Sequence, residues 1–223
     1  MIRHVVWDWN GTLLDDVDHA LDALNHLLDA RAMPRLGRDA YRERFGFPVR
    51  DFYVGLGFDL EREDFAALSE TFIARYDSKA GDAKIHDDVR STMLALRERG
   101  IAQSVLSALE STRLSRMLSA HGLAEFMTHV RGLDHLEASS KVALGVELAR
   151  TLTESLAPQE ILFVGDTLHD LETASAMGCE CLLIVRGHQT RERLAATAGD
   201  HRLIDALSEV LEFVQSRGMP RFG

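Results

Sequence analysis

The sequence predicts an α/β protein: a Rossmann-like parallel sheet core flanked by helices, with an inserted α-helical cap domain. Short apolar runs alternate with amphipathic stretches along most of the chain, which is the pattern of βα units around a parallel sheet. A long helical stretch separates the first apolar run from the second. Because about 70 residues are too many for one crossover connection, this stretch indicates a separate inserted domain.

Apolar runs along the chain are the strand candidates, and several of them end at polar residues. The candidates are Ile2–Trp7, Ala102–Ser107, Met127–Arg131, Ile161–Val164 and Cys181–Val185. Asp8, Ser107 and Asp166 lie at the ends of the first, second and fourth. In open α/β sheets ligands bind beyond the carboxyl ends of the strands, so we expect these side chains to meet in one crevice.

Two apolar stripes predict helices in the inserted domain. The stripes, each at helical spacing, are Val17, Leu21, Leu24, Leu28 and Phe65, Leu68, Phe72, Tyr76. We place the inserted helical domain, the cap, at residues 15–84 and the α/β core at residues 1–14 and 85–223. The hinges are expected at Leu14–Asp16 and near Gly81 and Lys84.

The helices of the core are predicted from their stop signals and periodicity. They are Asp88–Arg99, Ser111–His121, Leu168–Met177 and Asp205–Val214. A glycine follows each of the first three, at Gly100, Gly122 and Gly178, and glycine is the usual residue just past a helix end.

Charge and composition exclude several function classes. A formal net charge of −10, with no basic run to offset it, would repel phosphate backbones and anionic lipid, so we expect neither nucleic acid nor membrane as a partner. The amino terminus lacks the apolar run of a signal peptide, which favours a cytoplasmic protein. Cys179 and Cys181 are too close in sequence for an unstrained disulfide, and are expected to be reduced core residues. Either a monomer or a homodimer is compatible with the sequence.

Short motifs in a fixed order carry the functional signal. They are Asp8-Trp9-Asn10-Gly11-Thr12-Leu13, Ser107 at the end of Ser104-Val105-Leu106-Ser107, Lys141 in Ser139-Ser140-Lys141, and Gly165-Asp166-Thr167-Leu168-His169-Asp170. Each alone is weak, since an isolated aspartate is as easily a turn residue or a helix cap. Together they resemble the haloacid dehalogenase superfamily. The insertion after the first motif is similar to the cap of its phosphoglycolate phosphatase-like branch.

The chemistry of a phosphate monoester explains why these residue types belong together. The ester is a dianion, so a carboxylate nucleophile needs a divalent cation and fixed positive groups beside it. Carboxylates that meet at strand ends supply the oxygen ligands that Mg²⁺ prefers. Asp8 is therefore the candidate nucleophile and a metal ligand, with Asp166 as a second ligand. The predicted cofactor is Mg²⁺.

The resemblance implies further roles. The backbone carbonyl of Asn10 would be a third metal ligand, and Asp170 would bind the metal or hold its waters. Gly11 allows the turn that brings backbone amides to the phosphoryl oxygens. Thr12, Ser107 and the amide of Ala108 would donate hydrogen bonds to the same oxygens, and Lys141 would hold both the phosphoryl group and the nucleophile. The chain has only three lysines, and a compact ammonium suits that position.

The sequence departs from the family at Asn10. Phosphatases of the superfamily usually carry a second aspartate two residues after the nucleophile, to protonate the leaving group. An amide is neither a general acid nor a general base near neutral pH, so the sequence shows no obvious residue for this proton transfer. The departure favours substrates with good leaving groups or a slowly hydrolysed aspartyl phosphate.

The leading hypothesis is a phosphohydrolase for a small phosphorylated metabolite, with the cap closing over the substrate. Arg42, Arg44 and Arg50 are candidates to meet a substrate anion, Arg50 first, although a solvated helix face is the favoured explanation for them. His169 has either a role in the site or a place in solvent. The alternatives are a catalytically weakened binding or regulatory protein, a phosphonatase, which needs a cap lysine, and a dehalogenase, which needs no metal.

Overall fold

Eight strands and ten α-helices occur in the residues that the computed structural model describes, 1–80, 83–134 and 140–217. The strands are β1 (His4–Trp7), β2 (Leu14–Asp15), β3 (Lys84–Ile85), β4 (Ala102–Glu110), β5 (His129–Leu133), β6 (Ile161–Gly165), β7 (Glu180–Ile184) and β8 (Leu203–Ile204). The helices are α1 (Val17–Asp29), α2 (Arg38–Arg44), α3 (Val49–Leu56), α4 (Phe65–Ala80), α5 (Val89–Glu98), α6 (Ser111–Ala120), α7 (Lys141–Thr153), α8 (Leu168–Met177), α9 (Arg191–Ala198) and α10 (Ser208–Ser216). Gly81 at the predicted hinge and Ser139 in the third motif lie outside the described residues.

Six of the strands form one parallel sheet in the order β5-β4-β1-β6-β7-β8. β1 lies between β4 and β6, with Trp7 paired to Val105 on one side and to Val164 on the other. Every residue of β1 is buried, as expected for a parallel strand covered on both faces. This register places Asp8 after β1, Ser107 within β4 and Asp166 after β6 at the same edge of the sheet.

Helices cover both faces of the sheet, and each face has its own apolar cluster. On one face Val5, Val105 and Val164 pack with side chains of α5, α6 and α10. On the other, Val6 and Phe163 pack with side chains of α7, α8 and α9. The alternation of side chains along each strand explains why neighbouring residues enter different clusters. The predicted fold class is confirmed.

The inserted helices α1 to α4 pack on a third cluster of their own. Both predicted stripes contribute to it, with Leu24 and Leu28 from α1 and Leu68 and Tyr76 from α4. β2 and β3 pair antiparallel beside the two connections to the sheet domain. The cap limits of 15–84 stay a prediction, and these helices lie inside them.

Several element boundaries differ from the predicted ones. β4 runs on to Glu110 with an irregular register after Leu106, and β5 begins two residues later than expected, at His129. α10 begins at Ser208 instead of Asp205, because the Glu209 carboxylate accepts the backbone N–H of Asp205 at 2.7 Å and holds a turn there. None of the helices in the described ranges has the length and apolarity to cross a bilayer.

Candidate active site

The first motif forms a buried turn at the carboxyl end of β1. The backbone N–H of Asp8 donates to the carbonyl of Val164 at 2.8 Å, which fixes the residue between the two neighbouring strands. Gly11 has a φ of +72°. A Cβ at Gly11 would lie 2.4 Å from Oδ2 of Asp166, so only glycine fits both this backbone and this close approach.

Three carboxylates, from Asp8, Asp166 and Asp170, meet at this edge. Each is buried and can offer one oxygen within 4.8 Å of the other two. Burial, together with repulsion from Asp170, raises the pKa of Asp166 to about 6, and the pKa of Asp8 is raised for the same reasons in spite of Lys141. The charged forms of Asp8 and Asp166 are therefore disfavoured unless a further positive charge lies beside them.

Lys141 is the first residue of α7, after the Ser140 side chain that accepts the N–H of Ala143. Its ammonium is buried and donates to Oδ1 of Asp8 and to Oδ1 of Asp170. Burial acts to lower the pKa of Lys141, but attraction to Asp170 and Asp8 outweighs it and raises the pKa. The ammonium is therefore a fixed positive charge against the candidate nucleophile.

Asp170 has most of its acceptor capacity occupied by the protein. Its Oδ2 accepts the N–H of Asp166 at 3.1 Å and both the N–H and the hydroxyl of Thr167, at 2.9 and 2.7 Å. Its Oδ1 faces Lys141. Burial acts to raise the pKa of Asp170, but Lys141 and these donors lower it. Asp170 thus orders the loop after β6 and positions Lys141.

The predicted phosphate ligands lie around the same point. The Thr12 hydroxyl lies 3.2 Å from Oδ2 of Asp8 and 3.1 Å from Oδ1 of Asp166, and with one proton it can donate to only one of them at a time. Ser107 is buried, and its Oγ accepts the N–H of Leu109 at 3.1 Å. Ser107 and Ala108 both line the cavity above Asp8. Their roles stay predictions.

Asn10 uses its amide as a double donor. Its Nδ2 donates to Oδ2 of Asp16 at 2.8 Å and to the Tyr76 hydroxyl at 3.1 Å. The Tyr76 hydroxyl in turn donates to Oδ2 of Asp16 at 2.8 Å. Tyr76 belongs to α4 of the cap, so Asn10 connects the first motif to the cap. Because its side chain is an amide, Asn10 has no proton to transfer to a leaving group.

Asp16 and His188 were missed by the sequence reasoning. The ring of His188 lies 3.3 Å from Oδ1 of Asp16 and 2.8 Å from the Tyr41 hydroxyl, and its backbone N–H donates to Oδ2 of Asp166 at 2.6 Å. Burial acts to lower the pKa of His188, but Asp16 raises it to about 9, and His188 lowers the pKa of Asp16 in return. His188 follows the strand candidate Cys181–Val185, so its place just beyond a strand end was the available signal.

The cap arginines have structural partners. Arg42 donates to the carbonyls of Gly187 and Gln189, at 2.7 and 3.0 Å, and so connects the cap to the loop after β7. Arg44 donates to the carbonyl of Gly55. Arg50 is exposed with its guanidinium 5.8 Å from the centre of the Phe65 ring, outside the cavity lining.

His169 stacks on Phe47 with ring centres 4.6 Å apart and bonds Glu172 at 2.8 Å. It therefore contacts the cap, and it does not line the cavity.

The donor set fits a hard divalent cation. Carboxylate oxygens of Asp8, Asp166 and Asp170 converge, and neither sulfur nor imidazole competes as a ligand in that triad. Burial, and after it the neighbouring carboxylates, raise the pKa of Asp8 and Asp166, and a cation there would favour the charged form of both.

Comparison with known proteins agrees with this geometry. The family model described as haloacid dehalogenase-like hydrolase matches residues 5–184. A phosphoglycolate phosphatase from Vibrio parahaemolyticus is 25% identical, with 96% of each chain covered. A pyrophosphatase from Anoxybacillus flavithermus is also 25% identical, with 96% of this chain and 97% of that protein covered. Among solved structures, a haloacid dehalogenase-like hydrolase from Streptococcus pneumoniae superposes with a TM-score of 0.81 at 19% identity, over 96% of this chain and 99% of that one. The chain belongs to the haloacid dehalogenase-like hydrolase family.

Proposed function

We propose that this hydrolase is a Mg²⁺-dependent phosphatase of small phosphorylated metabolites that works through an aspartyl phosphate on Asp8. The observation that carries the proposal is the buried contact of the Lys141 ammonium with Asp8 inside a carboxylate triad. A carboxylate needs such positive charge to approach a phosphate dianion. The printed names of relatives, phosphoglycolate phosphatase and pyrophosphatase, support phosphoryl chemistry.

Each residue around Asp8 has a separate role in the proposed reaction. Asp8 is the nucleophile, and Lys141 holds its carboxylate and would contact a phosphoryl oxygen. Thr12, Ser107 and the N–H of Ala108 would donate to the other phosphoryl oxygens. Asp8, Asp166, Asp170 and the carbonyl of Asn10 would hold Mg²⁺, which supplies charge neutralisation when bound. The cap excludes bulk water from the cavity.

The reaction proceeds by two displacements at phosphorus. An Asp8 oxygen bonds to phosphorus while the bond to the leaving oxygen breaks, and water then displaces Asp8 to release phosphate. Because the Asn10 amide is a donor to Asp16 and Tyr76, it supplies no proton to the leaving oxygen. The enzyme therefore favours esters whose leaving group departs as an anion.

Acetyl phosphate tests the proposal, since acetate leaves without a proton. We expect Mg²⁺-dependent hydrolysis by the natural protein and none by Asp8→Asn. Beryllium fluoride with Mg²⁺ should bind the natural protein and not Asp8→Asn, with both folded by circular dichroism. Equal fluoride binding by the two proteins would remove Asp8 from the nucleophile role.

The use of Asn10 as a donor to Asp16 and Tyr76 also favours a second candidate, a weakened binding protein of this fold. Fluoride binding with no turnover of acetyl phosphate would identify that case.

A further inference from the structure

The cavity above Asp8 is much larger than a phosphate group. It has a volume of about 590 Å³ and extends from the carboxylate triad to the inner side of the cap. Volumes of about 300–1,000 Å³ are typical of sites for drug-sized ligands. The cavity therefore has room for a sizeable leaving group beside the phosphoryl group.

The cap end of this cavity is aromatic. Five of the ten phenylalanines of the chain line it, namely Phe45, Phe47, Phe52, Phe65 and Phe72. Phe45 is the centre of the wall, with ring centres 5.4 Å from those of Phe47 and Phe52 and edge-on geometry in both pairs. Such a wall presents ring faces and edges to a flat apolar group.

Helix α4 adds one continuous face to the wall. Its lining residues are Phe65, Ala66, Ser69, Glu70, Phe72, Ile73 and Tyr76, a spacing that follows one side of a helix. Their side chains are mostly apolar. The Ser69 hydroxyl is occupied as a donor to the carbonyl of Phe65 at 2.8 Å.

Among the described residues of the cap, no arginine or lysine lines the cavity. Several basic side chains of the cap are paired with carboxylates elsewhere: Arg31 with Glu63, Arg38 with Asp18, and Arg75 and Lys79 with Asp22. Arg113 of α6 reaches the lining, but it is paired with Asp77. Glu70 and Glu110 add negative charge to the same lining. His188 also lines the cavity, and it is paired with Asp16. A carboxylate such as that of glycolate would lose its hydration there without gaining an unpaired cation from the described lining.

We infer that the leaving group of the substrate is a flat apolar ring joined to phosphate through a phenolic oxygen, so that the substrate is an aryl phosphate monoester. The inference rests on the proposed phosphatase function and names its substrate class. The ring would lie against Phe45, Phe52 and Phe72, with the phosphoryl group at Asp8 and Lys141.

Asn10 agrees with this substrate class. A phenol has a pKa of about 10, well below that of an alkyl alcohol, so phenolate leaves without prior protonation. Asp8 bonds to phosphorus, the aryl P–O bond breaks with its electron pair on the phenolate, and the phenolate takes a proton from water. A second water then bonds to phosphorus as the bond between phosphorus and the Asp8 oxygen breaks. This second water releases one proton, which balances the proton that the phenolate took up.

Binding of two non-hydrolysable phosphonates tests the ring independently of turnover. With Mg²⁺ present, phenylphosphonate should bind about 10- to 100-fold more tightly than phosphonoacetate, because the ring buries an area like that of a Phe side chain. Equal binding, or tighter binding of phosphonoacetate, would overturn the inference.

Turnover separates this inference from the proposed function. We expect kcat/KM for 1-naphthyl phosphate to exceed that for 2-phosphoglycolate, with acetyl phosphate as the ring-free reference. Hydrolysis of acetyl phosphate together with a preference for 2-phosphoglycolate over 1-naphthyl phosphate would support the proposed phosphatase function and contradict the inferred aryl phosphate substrate. Failure to hydrolyse any of the three, with no fluoride complex, would overturn both.

A matched pair of variants on α4 tests the wall itself. Ser69 lines the cavity, whereas Thr71 is exposed and outside it, and each hydroxyl donates to the carbonyl four residues earlier. Ser69→Arg should lower the preference for 1-naphthyl phosphate over 2-phosphoglycolate by about tenfold or more. Thr71→Arg should leave the preference unchanged. An equal effect of both variants, or no effect of Ser69→Arg in a folded protein, would contradict the assigned wall.

Discussion

The two ends of the active-site cavity are built from different kinds of side chain. At the sheet end, Asp8, Lys141 and Asp170 are buried and joined by charge-assisted hydrogen bonds. At the cap end, Phe45 and Phe52 lie edge to face, and no arginine or lysine of the described cap lines the cavity with them. Under the proposed function, the sheet end determines which bond can break, because fixed charge stabilises the phosphoryl group during transfer. The cap end would then determine which ester fits.

The two ends are also held in place by different kinds of contact. The sheet end is fixed by strand register and by backbone N–H groups that donate to Asp170. The cap contacts the sheet domain through side chains, such as Tyr76 with Asn10 and Arg42 with the loop after β7. The positions of the carboxylates therefore follow from the strand register, whereas the position of the cap depends on contacts between side chains of the two domains.

The largest effect expected is from Asp8→Asn, which keeps the shape and removes the nucleophile. Turnover of acetyl phosphate should fall by roughly 10⁴-fold or more, as losses of nucleophiles do in other covalent enzymes. The cap end should be unaffected, so the variant should keep the preference for phenylphosphonate over phosphonoacetate. Loss of that preference in a folded protein would show that the two ends are not independent.

Lys141→Met should lower kcat by roughly 10²–10³-fold, the usual cost of losing one preorganised charge at a reacting group. Lys141→Arg is the control, since it keeps the charge but has a larger planar head. If Lys141→Met retained normal kcat and changed only KM, Lys141 would be a substrate anchor alone.

His4 is a buried polar residue at the amino end of β1, away from the active site. We expect it to affect the free energy of unfolding but not turnover. Burial lowers the pKa of His4 to about 4, helped by His129, and its ring bonds the Ser104 hydroxyl at 2.8 Å. In the unfolded chain His4 binds a proton near pH 6.5, whereas in the folded protein it does so only near pH 4. The contribution of His4 to the free energy of unfolding is therefore fully present above pH 6.5 and is lost as the pH falls towards 4.

The loss should be up to about 3 kcal/mol, measured by urea unfolding at several pH values. His4→Gln, which does not titrate, is the comparison protein. A parallel pH dependence in both proteins would assign the effect to other groups.

Asn10→Asp sharpens the boundary between the two ends. A carboxyl at position 10 could protonate a leaving oxygen, with a ceiling of about 10²–10⁴-fold. It would also face the Asp16 carboxylate that now accepts from Asn10, so we expect a gain near the lower end or below it. The gain in kcat/KM should be greater for an alkyl phosphate than for an aryl phosphate. If the alkyl ester gains no more than the aryl ester, Asn10 does not occupy a vacated acid position.

The smallest effect is expected at the rim of the cap. Phe47 is 38% exposed and stacks on His169, so Phe47→Ala should fold normally. KM for 1-naphthyl phosphate should rise by about 2- to 12-fold, the range for one aromatic contact. KM for acetyl phosphate, which has no ring, should not change. An equal rise for both substrates would assign Phe47 to cap closure rather than to ring binding.

The sequence by itself determined the family, the fold class and the residues at the sheet end. Strands show as apolar runs, and the residue after a run is placed by the register of the sheet, so Asp8 and Asp166 could be brought together from local patterns alone. Lys141 required the resemblance, because a lone lysine before a helix has no local signal.

Only the tertiary structure decided the cap end and the connections to it. The sequence gives the helical stripes of the cap, but which side chains face the cavity depends on how four helices cross, and long-range packing fixes that angle. Arg50, expected to meet substrate, lies over Phe65, while Phe45 and Phe52 line the cavity. Likewise Asp16 and His188 are 172 residues apart and meet only because the cap and the loop after β7 fold against each other. Contacts between distant side chains follow from three-dimensional packing, which no local pattern encodes.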